Sequence, residues 1–264
     1  MGWRILRHGS FHEIACSVYI VYLRWIAESQ NPEVFEATED LQYLDLSSTK
    51  VVGDIQVFKS ADKLENLYLS ATEIFGDIAA LTNASTLEDL YLGQTNVSGN
   101  ISALWAADML EEVQLASTHV YGDIHVFKGK EYLRKLLCSS TWIEGNVAVF
   151  ENMEDLEMVD LSLTNVTGDI AAFQGKDYLE RLVLASTLVF GDIERLMPVG
   201  GKNPYEVIDL SRTNILGNIW VFQNAKRLLE LYLADTIVAG ATAIEATGTL
   251  FSNVFQTMTS FMNG

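Results

Sequence analysis

The sequence is short of several residue types on which function often depends. Its 264 residues include only two cysteines and four histidines, and 17 lysines and arginines oppose 35 aspartates and glutamates. Cys16 and Cys138 cannot build a disulfide framework or a zinc quartet, and their scarcity favours a reducing compartment. A formal net charge of −18 repels phosphate backbones, so we expect no nucleic-acid partner and a protein partner of basic character.

Long apolar runs are also missing. The run from Ile14 to Leu23 is too short to span a bilayer and lacks a small-x-small cleavage site after it. We therefore predict an intracellular protein with at most peripheral membrane contact. Secretion is the alternative, because the sequence contains four glycosylation-type sequons. They begin at Asn83, Asn96, Asn100 and Asn165.

No catalytic motif is present in the sequence. It has no glycine-rich phosphate loop, no Gly-x-Ser-x-Gly elbow and no His-Glu-x-x-His pair. His119, Asp123 and His125 are close in sequence, but their spacing matches no strong metal-ligand pattern. Cys138 occupies a leucine position of the repeat described below, which predicts a core residue. We predict no enzyme, no cofactor and no metal site.

The dominant feature is an internal repeat. Leucines recur every 23 residues from Leu41 to Leu179, the next interval is 26 residues to Tyr205, and the spacing returns to 23 at Leu228. Each unit follows L-x-x-L-x-L-x-x-T-x-V-x-G-D-I-x-x-F, most clearly in residues 41–58 and 156–173. This pattern resembles the leucine-rich-repeat family, closest to the plant variety of receptor ectodomains and polygalacturonase inhibitors. Threonine replaces the family's asparagine ladder, and the proline after isoleucine is absent.

The resemblance implies an α/β fold, a right-handed solenoid with a parallel β-sheet on its concave face. Short 3-10 or extended segments would form the convex face, with caps at both ends. The alternation in L-x-L independently predicts short strands with leucines inward, and stacking of units would make the core continuous. Residues 41–248 would form nine repeats, with an insertion near 197–201.

The two ends are predicted to be caps. Residues 1–40 would form an N-terminal cap with a degenerate first repeat, and a helix over residues 11–28 is the alternative. Residues 249–264 have apolar residues at helical spacing and predict a C-terminal cap helix, whose Phe and Met face could instead dock on a partner or a membrane surface.

Two further columns recur in the repeat. The threonines, from Thr49 to Thr236, are expected to turn inward and bond backbone groups, which would not suit the flat exposed array of ice-binding solenoids. Asp or Asn follows the glycine in each unit from Asp54 to Asn218. These side chains either cap backbone N–H groups or, as a remote alternative, gather Ca²⁺.

Two surfaces are candidates for partner binding. Tyrosines beside acids on the outward positions of the L-x-L strands could anchor a basic partner. The selected residues of this face are Tyr43, Tyr68, Asp89, Tyr91, Glu112, Gln114, Asp160, Asp209 and Tyr232. A second, apolar strip precedes the glycines on the lateral edge, where a covered face is expected. Its selected residues are Phe75, Tyr121, Trp142, Phe190 and Leu216.

These features predict a non-enzymatic protein-protein interaction module or a structural subunit of a larger assembly. A secreted recognition or inhibitor protein of the plant type is the alternative, and a Ca²⁺-binding acidic solenoid is a remote one. The repeat indicates how binding is done and does not name the ligand.

Overall fold

The computed structural model describes residues 40–196, 204–223 and 225–239. Within these ranges each repeat contributes a strand to one parallel sheet and a strand to a second parallel sheet, and in the first eight repeats a short 3-10 helix leads toward the next repeat. The predicted caps over residues 1–40 and 249–264 and the insertion near 197–201 lie outside the described residues, apart from residue 40.

The first sheet, here the A sheet, is built by the L-x-L segments. Its nine parallel strands follow chain order, so each repeat pairs with its sequence neighbours. Equivalent residues are in register, as in the pairing of Leu44 with Leu67. The strands are β1 (Tyr43–Asp45), β3 (Asn66–Tyr68), β5 (Asp89–Tyr91), β7 (Glu112–Gln114), β9 (Lys135–Leu137), β11 (Met158–Asp160), β13 (Arg181–Val183), β15 (Val207–Asp209) and β17 (Glu230–Tyr232). The predicted parallel sheet is confirmed.

A second sheet, here the B sheet, lies where the sequence predicted only extended segments. Its nine strands are also parallel, and a buried valine or isoleucine is the second residue of each strand from β4 to β18. Stacking brings these segments to strand spacing, so their backbone groups pair. The strands are β2 (Val52–Asp54), β4 (Glu73–Asp77), β6 (Asn96–Asn100), β8 (His119–Asp123), β10 (Trp142–Asn146), β12 (Asn165–Asp169), β14 (Leu188–Asp192), β16 (Asn214–Asn218) and β18 (Ile237–Ala239).

Short 3-10 helices follow the B strands in the described part of the chain. They are Ile55–Phe58, Ile78–Leu81, Ile101–Leu104, Ile124–Phe127, Val147–Phe150, Ile170–Phe173, Ile193–Leu196 and Ile219–Phe222. The Asp or Asn before each one accepts a hydrogen bond from the backbone N–H two residues later, as Asp123 does from His125 at 2.8 Å. The capping role predicted for this column is confirmed.

The core runs the length of the solenoid between the two sheets and the 3-10 helices. The three leucine positions of a repeat, such as Leu64, Leu67 and Leu69, are fully buried. Aromatic side chains stack along the same axis, with ring centroids of Phe150 and Phe173 5.6 Å apart. No repeat could bury these residues alone, so the stacking of neighbours is what makes each repeat stable.

The threonine column stabilises the turn between the two sheets through hydrogen bonds. In each described repeat the threonine Oγ1 donates to the carbonyl three residues earlier, at 2.5–2.8 Å. Most of these threonines are buried, among them Thr95 and Thr187. The inward orientation and the backbone bonds predicted for this column are confirmed, and its hydroxyls form no exposed array.

Candidate protein-interaction surfaces

Three tyrosines stack along the first strands of the A sheet. The rings of Tyr43 and Tyr68 have centroids 5.6 Å apart, and those of Tyr68 and Tyr91 meet edge to face at 4.8 Å. Parallel pairing in register places equivalent outward residues one strand apart, which explains the contact of Tyr68 with Tyr91. Such ring pairs prefer tilted or edge-to-face geometry, so the ladder is a favourable arrangement.

Carboxylates hold the hydroxyls of this ladder. Tyr68 donates to Asp89 Oδ2, and Tyr91 donates to Glu112 Oε2, each on the next strand. Burial, and then the hydrogen bond to Asp89, raises the pKa of Tyr68 well above its ordinary range. Burial and the bond to Glu112 raise the pKa of Tyr91 in the same way. Both phenols are therefore neutral donors, and the structure brings together five of the predicted residues as one group. We call it the tyrosine–acid patch: Tyr43, Tyr68, Asp89, Tyr91 and Glu112.

Cations border this patch on one side. Lys135 Nζ lies 2.7 Å from Glu112, and Arg134 bonds the same carboxylate at 3.2 Å. Burial would raise the pKa of Glu112, but hydrogen bonds from Lys135 and Tyr91 outweigh it and hold that pKa below its usual value. The negative charge of Glu112 is thus already neutralised by Lys135 and Arg134. Within the described residues, Asp89 forms no ion pair with a lysine or arginine.

An acidic column beside the patch was not selected from the sequence. Glu65, Glu88 and Glu111 directly precede strands β3, β5 and β7, and their backbones continue the strand pairing. Burial, followed by repulsion from Glu65 and Glu111, raises the pKa of Glu88. The repeated Leu-Glu pair at this position could have identified the column. These carboxylates give the edge of the patch a concentrated negative charge.

The other residues predicted on the A sheet have different surroundings. Asp160 and Asp209 accept hydrogen bonds from the backbone N–H of Ser162 and Ser211, at 3.1 and 3.0 Å. They therefore act as turn caps in addition to facing outward. Gln114 lies beside the patch and accepts from Ser70 at 3.0 Å. Tyr232 is on β17, at the other end of the sheet, and is not part of the group.

The predicted apolar strip lies on the outer face of the B sheet. Phe75, Tyr121, Trp142, Phe190 and Leu216 are all 45% exposed or more. Register places Tyr121 beside Trp142, whereas Phe75 is beside Asn96 and Phe190 is beside Asn214. Polar residues therefore interrupt the strip along its length. Ile237, 70% exposed and paired with Leu216, extends it and was not selected from the sequence.

The described ranges contain few side chains that are placed for metal binding or catalysis. There, no group of three or more His, Cys, Asp or Glu residues is placed to hold a metal ion. Cys138 is fully buried at its leucine position, as predicted, and burial raises the pKa of its thiol. Lys130 is also buried and donates to the carbonyl of Ala107 at 2.8 Å in the preceding repeat, an internal tie that the sequence analysis missed. Within the same ranges, no helix is long and apolar enough to cross a membrane.

The fold, unlike the sequence, has known counterparts. No protein-family model matches the sequence, and no curated protein matches it either. The ectodomain of the Arabidopsis thaliana receptor kinase GASSHO1/SCHENGEN3, in complex with CASPARIAN STRIP INTEGRITY FACTOR 2, is similar with a TM-score of 0.69 and 22% identity, covering 79% of this chain and 26% of that one. The plant peptide hormone receptor RGFR1 in complex with RGF2 gives a TM-score of 0.63 and 23% identity over 79% of this chain and 38% of the receptor.

A smaller protein shares the same architecture. A plant ice-binding protein is similar with a TM-score of 0.66 and 21% identity, covering 79% of this chain and 69% of that one. The chain thus spans well under half the length of the two receptor structures, and the likeness at these identities is one of fold. Together with the two parallel sheets, these counterparts identify the fold as a leucine-rich-repeat solenoid of the plant type.

Proposed function

We propose that this chain is a non-enzymatic recognition module whose A sheet binds an extended segment of a basic protein or peptide. The tyrosine–acid patch carries this proposal. On strands β1, β3, β5 and β7 the outward residues include three tyrosines and three acids, and no lysine or arginine. Those residues are Tyr43, Asp45, Asn66, Tyr68, Asp89, Tyr91, Glu112 and Gln114.

The patch is suited to a cationic side chain. A guanidinium or ammonium can lie over a tyrosine face while a neighbouring carboxylate pairs with it. Ring contacts and hydroxyl bonds already order Tyr68 and Tyr91, so binding costs little further side-chain entropy. Burial and then repulsion from its acidic neighbours raise the pKa of Glu88, and a bound cation would offset that repulsion. Aromatic anchors with flanking acids therefore favour a basic partner.

The size of the tyrosine–acid patch limits the length of peptide that it can contact. Three strand spacings of about 4.8 Å span roughly 14 Å, which an extended peptide covers with about four residues. RGFR1 is a peptide hormone receptor and was solved with RGF2. That architecture supports a peptide or an extended protein segment as the ligand of this chain as well.

Titration with synthetic peptides tests the proposal. A fluorescent hexa-arginine peptide is expected to bind the full chain in a salt-dependent manner, and a hexaglutamate peptide is not. Tyr68→Ala and Asp89→Asn should each weaken binding by about tenfold, the effect of one lost anchor of about 1.4 kcal/mol. Tyr132→Ala, at an exposed tyrosine outside both sheets, should leave the affinity unchanged. Equal weakening by all three variants, or equal binding of both peptides, would refute the proposal.

Secretion is the second candidate for the setting of this function. One structural counterpart is the ectodomain of a plant membrane receptor kinase, which favours the secreted alternative over the predicted intracellular location. Asn83, Asn96 and Asn165 of the sequons are exposed, so a glycan could be attached. Asn100 instead caps the backbone N–H of Ser102.

Expression through a eukaryotic secretory pathway tests that candidate. The secreted chain should lose mass on treatment with an N-glycosidase, and Asn165→Gln should remove one glycan. A chain that is secreted without any glycan, or retained and degraded, would favour the intracellular location.

A further inference from the structure

The chain's own arginines bridge glutamates along one edge of the A sheet. A glutamate directly precedes each of β3, β5, β7, β11, β13 and β15, and these residues form the glutamate column. Arg134 lies 3.7 Å from two of these carboxylates, and Arg227 Nη2 lies 2.7 Å from two others. The bridged residues are Glu111 and Glu157 for Arg134, and Glu180 and Glu206 for Arg227. A guanidinium is thus the group that this column already binds within the chain.

The beginning of the column lacks such a cation. We call Glu88, which precedes β5, and its neighbour Asp89 the open pair. Both residues are half-buried, and in the part of the chain that the structure describes neither forms an ion pair. Partly buried carboxylates without a cation are costly to keep charged. The open pair is therefore suited to a cation that a partner supplies.

The next repeat contains an equivalent pair that does hold a guanidinium. We call Glu111 and Glu112 the filled pair, because Arg134 contacts both, with Nη1 3.7 Å from Glu111 and Nη2 3.2 Å from Glu112. Among the described residues, the ammonium of Lys135 pairs with Glu112 alone, at 2.7 Å. A planar guanidinium with its fork of N–H donors can reach several carboxylates at once, whereas an ammonium is a compact point charge.

The two pairs have matching surroundings apart from this cation. A tyrosine of the preceding repeat donates its hydroxyl to the second carboxylate of each pair, Tyr68 at the open pair and Tyr91 at the filled pair. The backbone N–H of Arg134 donates to the carbonyl of Glu111 at 2.8 Å, and that of Glu111 donates to the carbonyl of Glu88 at 2.8 Å. Residue 111 thus stands beside the open pair as Arg134 stands beside the filled pair, but it is a glutamate.

We propose that the open pair binds one arginine side chain of the partner, with its guanidinium placed as that of Arg134 is at the filled pair. This site depends on the proposed function, because it specifies which basic group lies against the tyrosine–acid patch. Glu88, which is outside that patch, supplies the second carboxylate, which a guanidinium can bridge and an ammonium uses less well. Glu88 is therefore the residue that selects arginine over lysine.

Two peptides of equal charge test this preference on the full chain. Fluorescent hexa-arginine and hexalysine are titrated in about 0.15 M salt, where the screening length is about 8 Å. The wild type should bind hexa-arginine about tenfold more tightly than hexalysine. Glu88→Gln should reduce that ratio to less than about threefold, because one of the two bridged carboxylates is lost. Glu131→Gln, at an exposed carboxylate away from the column, should leave the ratio unchanged.

An arginine placed in the chain itself tests the same site by occupying it. Glu111→Arg puts a guanidinium beside the open pair, so it should weaken hexa-arginine binding by more than about tenfold and raise the midpoint of urea unfolding. Glu111→Gln removes the same carboxylate without filling the site and should weaken binding by less than about threefold. Glu131→Arg makes the same change in net charge as Glu111→Arg and should alter neither the affinity nor the midpoint appreciably.

The outcomes distinguish the arginine site from the proposed function. Equal affinity for the two peptides, with Tyr68→Ala and Asp89→Asn still weakening both, would overturn the arginine site and leave the basic-partner proposal standing. Equal hexa-arginine affinity of Glu111→Arg and Glu111→Gln would overturn the site in the same way. Binding of neither peptide to the wild type would refute the proposed function and the arginine site together.

Discussion

At the residue scale, each described repeat contains a left-handed backbone position that is not glycine. The φ angles of these residues are 56–58°, and they lie just before the buried threonine, in the turn between the two sheets. The position is held by Ser48, Ala71, Gln94, Ser117, Ser140, Leu163, Ser186, Arg212 and Asp235. A side chain there costs about 1–2 kcal/mol relative to glycine, so the stacked repeats hold every turn in a strained conformation.

Ala71→Gly tests this strain. Glycine relieves the left-handed penalty of about 1–2 kcal/mol but loses about 0.5–1 kcal/mol more backbone entropy on folding. We expect Ala71→Gly to raise the free energy of unfolding by up to about 1 kcal/mol in urea denaturation. Ala116→Gly, the same change one position earlier in its turn and outside the left-handed set, should lower it by about 0.5–1 kcal/mol. Shifts of the same sign for both variants would contradict the strain argument.

At the scale of elements, a glycine in one B strand is matched to a cap in the preceding repeat. Gly145 has a φ of 119°, and a Cβ added there would lie 2.2 Å from Oδ1 of Asp123. That oxygen is the one that accepts from the backbone N–H of His125. A side chain at residue 145 and the Asp123 carboxylate of the preceding repeat would therefore occupy the same space. This explains why a glycine lies next to the capping Asp or Asn of the preceding repeat along this column.

A double-mutant cycle measures this coupling. Gly145→Ala should destabilise the chain by about 2–4 kcal/mol, through backbone strain and the clash with Asp123. Asp123→Ala should cost about 1 kcal/mol through the lost cap. The double variant should be less destabilised than the sum by about 1 kcal/mol, because removing the carboxylate makes room for the new methyl group. Strict additivity in chemical denaturation would mean that strain in Gly145, and not the shared volume, sets the cost.

The two sheets differ in how well the sequence could predict them. L-x-L alternation and a strict repeat identify the A sheet, because leucine burial requires that spacing. The B sheet escaped prediction because its strands contain a glycine near one end and depend on pairing between repeats. The alternation of Glu73, Ile74 and Phe75 is the local pattern that could have indicated it.

The candidate site was predictable only in its residue types. Outward positions of β3 and β5 could be assigned from the repeat, which placed Tyr68 and Tyr91 on one column. Whether a carboxylate holds a ring, as Asp89 does, or caps a turn, as Asp160 does, depends on side-chain directions that the repeat does not encode.

On the scale of the whole molecule, carboxylates recur along one edge of the A sheet. A glutamate directly precedes each of β3, β5, β7, β11, β13 and β15, and Arg134 and Arg227 pair with four of these glutamates. Glu65, Glu88 and Glu111 stand on consecutive strands about 4.8 Å apart, closer than the screening length of about 8 Å at physiological salt. Repulsion within this column beside the tyrosine–acid patch therefore lowers the free energy of unfolding. Such a loss of stability is expected where a surface serves recognition.

Glu88→Gln measures that cost. Because burial and its acidic neighbours raise the pKa of Glu88 in the folded protein, its carboxyl favours folding only while protonated, below its ordinary pKa of 4.5, and this contribution is lost as the pH rises. At pH 7 and low salt, the variant should gain a few tenths of a kcal/mol in free energy of unfolding, the size of one like-charge pair between strands. The gain should vanish near pH 4, and also in about 1 M NaCl, where the screening length falls to about 3 Å. Glu131→Gln, at an exposed carboxylate away from the column, should show no such gain; a salt-independent gain at Glu88 would point to hydrogen bonding instead of repulsion.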